Sequence, residues 1–130
     1  ELMRTHFLSA LPIAGREKAL ELEPNFDFYR ASKVLRLQVE FNGDPAVLPS
    51  LHLDVAYDGG ARRYELAMRF DGVRELVLPE MAPWLFLPEL EVEDLRDRMM
   101  EGVSFEAISH FERGFRCTSG NIVILEFKSV

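Results

Sequence analysis

The sequence predicts a mainly β (or α+β) fold: antiparallel sheets of about eight strands, forming a sandwich or a strongly curved sheet, behind a short N-terminal helical segment. Three observations predict it. Apolar and polar residues alternate with a period of two from Lys33 onward. Turn residues punctuate the alternating runs. No helical stretch long enough for a crossover between parallel strands separates them.

With 130 residues, one domain is expected, divided into an N-terminal helical or irregular segment (1–32) and an antiparallel β-rich body (33–130). In the first part Leu2, His6, Phe7, Ala10 and Leu11 recur at roughly helical spacing before Pro12, and residues 16–22 read as a further helical turn or two closed by Pro24. Helices this short depend on tertiary packing.

In the body, Leu35, Leu37, Val39 and Phe41 alternate with Arg36, Gln38 and Glu40, the pattern of a half-buried strand. Asn42-Gly43-Asp44-Pro45 ends it. Leu51, Leu53, Val55 and Tyr57 form the next run. Asp58-Gly59-Gly60 turns the chain into Tyr64, Leu66, Met68 and Phe70, predicting a hairpin. Asp71-Gly72 has the spacing of a second, tight hairpin leading to a strand over 73–78.

Pro79, Pro83 and Pro88 then confine residues 79–88 to a loop or irregular edge carrying Trp84, Leu85 and Phe86, with Trp84 either an interface anchor or part of a lid that folds onto the sheet. Leu90 and Val92 mark a short strand, and 94–101 a helical turn or loop. Val103, Phe105 and Ala107 resume alternation, with a bulge expected near Ile108 and a turn at Arg113-Gly114. Ser119-Gly120 predicts a final hairpin. Its second strand is apolar without a break from Ile122 to Leu125, which implies a central position covered on both faces.

The formal net charge of −7 disfavours nucleic acid and anionic membrane as partners and favours a basic protein. From Asp71 to Glu101 there are nine acidic and three basic side chains, a balance of −6. A single cysteine, Cys117, cannot form an intramolecular disulfide. No apolar run is long enough for a membrane span, and 6–13 is too short and lacks the basic flank of a signal peptide, so a cytoplasmic location is expected.

Signatures of catalysis are sparse. Gly59-Gly60 lacks the helix and the Lys-Ser or Lys-Thr pair of a phosphate loop. His6, His52 and His110 are far apart, and His52 with Asp54 lacks a third ligand, so no metal and no cofactor are expected. Cys117 with His110 and Glu112 is the one nucleophilic grouping. The hairpin pattern reads Cys117 as a buried structural thiol instead. If Leu90 and Val92 face the core, Glu89, Glu91 and Glu93 share the opposite, exposed face. That row is a solvated edge or a docking surface; a glycosidase-type acid pair or a calcium site is the remaining alternative, without the loop or pocket signature either requires.

The stretch from Tyr64 onward, with Phe70-Asp71-Gly72-Val73-Arg74-Glu75-Leu76 and later Phe115-Arg116-Cys117-Thr118 before an apolar strand, resembles small acidic bacterial proteins of unassigned activity. Some of that type are immunity proteins of polymorphic toxin systems. The resemblance covers the C-terminal half, rests on turns and core positions, and transfers no functional residue. It implies a bacterial, cytoplasmic, non-enzymatic protein that neutralises a toxin by direct binding.

The leading expectation is therefore a binding protein with a basic protein partner. Trp84 would be its apolar anchor, and Glu89, Glu91, Glu93, Asp94 and Asp97 would supply long-range attraction. The alternatives are a small-molecule-binding or enzymatic β-domain with a pocket between sheets, and a structural subunit that forms a homo-oligomer through a strand edge.

Overall fold

The computed structural model describes residues 4–31, 33–80, 82–98, 100–109 and 114–130. Its strands are β1 (Arg4–Thr5), β2 (Lys33–Glu40), β3 (Ser50–Asp58), β4 (Arg63–Asp71), β5 (Glu75–Val77), β6 (Leu85–Phe86), β7 (Glu91–Asp94), β8 (Phe105–Ile108), β9 (Arg116–Ser119) and β10 (Asn121–Ser129). They form two antiparallel five-stranded sheets, ordered β1-β7-β8-β9-β5 and β10-β4-β3-β2-β6. Among the described residues helix is confined to α1 (Glu17–Leu20) and 3-10 turns at Leu8–Ala10, Phe28–Arg30 and Arg96–Arg98. No described helix is long and apolar enough to cross a membrane.

The hairpin β3–β4 forms as the alternation predicts, in register from Leu51 opposite Phe70 to Asp58 opposite Arg63. Leu51, Leu53, Val55 and Tyr57, with Tyr64, Leu66, Met68 and Phe70, all point into the core. The other two predicted hairpins do not form. β5 pairs with β9, not β4, and β10 pairs with β4, not β9. Asp71-Gly72 and Ser119-Gly120 instead carry two paired strands together from one sheet into the other. Gly72 has φ +64°, and the Gly120 N–H donates to the Asp71 carbonyl at 2.9 Å. The register shifts by one residue across this corner, from Asn121 opposite Asp71 to Thr118 opposite Glu75. An extra residue of this kind bends a ribbon without reversing it.

Two strand assignments need correcting. In β2 a bulge at Leu35 shifts the pairing between Val34 and Arg36, so Val34, Leu37 and Val39 face the core. Leu35 and Phe41 stand exposed. β10 is an edge strand, not a central one. Ile122 and Ile124 of its apolar run are buried in the core and Val123 and Leu125 half-buried on the other face, while along the edge the Ala14 N–H donates to the Ile122 carbonyl (3.3 Å) and the Ile124 N–H to the Ala14 carbonyl (2.7 Å). β8 ends at Ile108, and no bulge interrupts its pairing with β7 and β9. Arg113 of the expected Arg113-Gly114 turn lies outside the described residues.

The N-terminal segment is less helical than its spacing predicts, and β1 makes it part of the first sheet. Backbone bonds to distant residues displace the helix. The Phe28 N–H donates to the His6 carbonyl (2.7 Å) and the Leu8 N–H to the Phe26 carbonyl (3.3 Å). Leu8, Leu11, Ile13, Ala19, Phe26 and Phe28 thereby join the core shared by both sheets.

Candidate functional site

Trp84 is placed by a short edge strand. Leu85 and Phe86 of β6 pair with Val34 and Lys33, and the neighbouring prolines lack the N–H groups that would lengthen the ladder. Leu87 is fully buried and pins the segment. Trp84 is left 57% exposed, with Phe86 also exposed beside it, their ring centroids 6.1 Å apart and edge-on. Phe7, Tyr29 and Phe41 are also exposed, whereas Phe26, Phe28, Tyr57, Tyr64, Phe70, Phe115 and Phe127 are buried. The aromatic pair is therefore not a lid folded onto the sheet.

The acidic residues do not form one exposed row. Glu89 precedes β7 with φ +52° and is exposed, as is Asp97. Glu91 accepts a 2.5 Å hydrogen bond from the Tyr29 hydroxyl. Asp94 is held by the Arg96 guanidinium at 2.9–3.2 Å, which lowers its pKa below the usual carboxylate value.

Glu93 departs furthest from the expectation of exposure, at 3%. It lies directly opposite Glu106, itself buried, across the β7–β8 pair. Two like charges in that relation repel, and guanidinium groups offset them. Arg4 reaches Glu93 at 3.8 Å and Glu106 at 3.7 Å. Arg98 lies 3.4 Å from Glu93, and Arg116 lies 2.8 Å from Glu106. This network holds β1, β7, β8 and β9 together. Removing a partner would leave a carboxylate poorly compensated. Its members come from residues 4 to 116 of the chain, so no local pattern could reveal it.

A second polar cluster lies beside Glu91. His6 Nδ1 and Asp27 Oδ1 are 2.6 Å apart, and the His6 ring stacks on Tyr29 with centroids at 3.8 Å. Asp27 also caps the Phe28–Arg30 turn by accepting from the Tyr29 N–H. These contacts tie the N-terminal segment to β7. The bond to Glu91 is the main reason the Tyr29 phenol is pushed up to about 12, with burial and the nearby Glu91 and Glu89 charges adding to it. The raised value means the neutral, bonded phenol persists above the usual 10 and is lost as pH rises through about 12. In a 295 nm titration, Glu91→Gln should return one tyrosine toward 10. An unchanged curve would mean the bond does not control Tyr29.

Cys117 is fully buried, and burial pushes its thiol up to about 12, as expected of a structural cysteine. His110 and Glu112 lie outside the described residues. His52 and Asp54 sit on the outer face of the second sheet, where Asp54 faces Arg36 at 3.9 Å. No group of three or more His, Cys, Asp or Glu among the described residues converges as a metal site. A surface cleft of about 520 Å³ lies between the 42–48 loop and the corner at Gly72.

No family model, curated protein or solved structure matches this chain. At the β6 edge the surface carries an exposed aromatic pair, Trp84 and Phe86, followed in the chain by carboxylates of which Glu89 and Asp97 remain open to solvent.

Proposed function

We propose that this chain is a non-enzymatic binding protein, most concretely an immunity-type inhibitor that neutralises a basic toxin domain in the bacterial cytoplasm by direct binding. The exposure of Trp84 carries the reading. Indole is large and amphipathic, and burying it in a partner's pocket is among the strongest single contributions an interface side chain makes. The net charge of −7 supports a basic partner, since opposite potentials steer encounter. Steering falls to Glu89 and Asp97, because Glu91, Glu93 and Asp94 are engaged within the chain.

The experiment is co-purification of this chain with the products of the genes flanking its own. One basic product should bind. Trp84→Ala should weaken that complex by roughly 2 kcal/mol or more while leaving the unfolding midpoint unchanged. Glu89→Lys combined with Asp97→Lys should slow association and flatten its dependence on salt. An affinity indifferent to Trp84 sinks the reading.

A further inference from the structure

Among the described residues, the outer side of β2 is an open sheet edge over most of its length. β2 pairs with β3 from Lys33 to Glu40, but β6 covers its other side only at Lys33 and Val34. Among the described residues no strand lies against that side of Arg36, Leu37, Gln38, Val39 and Glu40. A bare edge presents unpaired N–H and C=O groups and templates further pairing. Its protective devices are limited to the charges of Arg36 and Glu40: it contains no proline or lysine, and the bulge lies before it, at Leu35.

The stretch is complementary to itself. Laid antiparallel on a second copy about a two-fold axis at Gln38, Arg36 falls opposite Glu40, Leu37 opposite Val39, and Gln38 opposite Gln38. Arg36, Gln38 and Glu40 lie on the solvent face, where Arg36 already meets Asp54 at 3.9 Å and bonds Gln38 of its own strand, so the pairing adds the other copy's Glu40 to each Arg36 and makes two ion pairs across the axis. Leu37 and Val39 lie on the inner face, half-buried against the core, and would bury their remaining surface on each other. Other registers are worse. A slip of one residue opposes apolar to polar faces, a slip of two loses both ion pairs, and a slip of four sets Arg36 against Arg36 or Glu40 against Glu40. Exposed apolar residues flank the run: Leu35 at 46% and Phe41 at 75%, and the two-fold carries Phe41 of each copy toward the Leu35 end of the other. β6 stops the added strand at that end.

We propose that this edge is a homodimer interface, with a second copy of the chain as its occupant, so that two five-stranded sheets become one sheet of ten strands. The pairing closes at two copies because both use the same stretch of β2 about one two-fold axis, while Ala14 occupies the opposite edge, β10, at Ile122–Ile124. The proposal is independent of the toxin-binding reading and requires neither Trp84 nor a basic partner.

Sedimentation equilibrium through the micromolar range should give twice the 14.9 kDa chain mass. Arg36→Glu alone or Glu40→Arg alone opposes like charges at two symmetric places and should weaken association about tenfold to thirtyfold. The double variant R36E/E40R reverses the ion pairs and should recover association to within about threefold of the natural chain. If a single variant fails to fold by circular dichroism, Gln38→Lys, which sets two ammonium groups on the axis, should dissociate the dimer instead. A chain that stays monomeric throughout, single variants that leave the dimer unchanged, or a double variant no better than the singles would overturn the proposal.

Discussion

Replacing Gly15 by alanine is expected to destabilise the protein by about 3–4 kcal/mol, a large fraction of a small domain's stability. Gly15 has φ +78°, and a Cβ there would lie 2.2 Å from the Ile124 carbonyl oxygen. That atom is backbone of β10, so relief requires lifting the N-terminal segment from the strand it covers. Gly43 is the matched control: its φ of +92° is similar, but nothing lies within 4 Å of its Cβ position. Gly43→Ala should therefore show only the left-handed backbone cost, about 1 kcal/mol. Urea unfolding of both variants decides the matter. Equal midpoints would mean that the close approach to β10 is not what holds the segment down. A second consequence is open to light scattering. With Ala14 displaced, β10 becomes a bare edge, and Gly15→Ala should aggregate where Gly43→Ala does not.

The second large effect belongs to Phe26, which is 1% exposed and lies among Phe28, Tyr57 and Phe127, with ring centroids at 5.1, 4.5 and 5.4 Å. Phe26→Ala should cost about 4 kcal/mol through lost burial and the cavity left behind. Leu22→Ala, at an exposed site, should change stability by no more than about 0.5 kcal/mol. If Phe26 proved as tolerant as Leu22, the N-terminal segment would be an appendage and not the filling of one end of the core.

Both substitutions fall in the first thirty residues, where the sequence is hardest to read. Leu8, Leu11, Phe26 and Phe28 are visibly apolar, but their spacing suggests helix as readily as an irregular path. The backbone bonds from Leu8 to Phe26 and from Phe28 to His6 settle the path, and they join residues about twenty apart. The candidate site divides in the same way. Proline spacing marks residues 79–88 as an edge bearing Trp84, and β6 is such an edge. The acidic run misleads, because alternation places Glu93 on the outer face without telling that Arg4 and Arg98 approach it there, or that Glu106 lies opposite.

By itself the sequence determined which residues alternate, where the chain turns and which side of β3 and β4 is apolar. These depend on neighbours two residues apart and on local backbone preference. Tertiary structure alone decided which strands pair. Asp58-Gly59-Gly60 closes a hairpin, whereas Asp71-Gly72 and Ser119-Gly120 bend a ribbon between sheets. A turn residue specifies φ and ψ, while the strand that accepts the next hydrogen bond is chosen by how the two sheets close over one core.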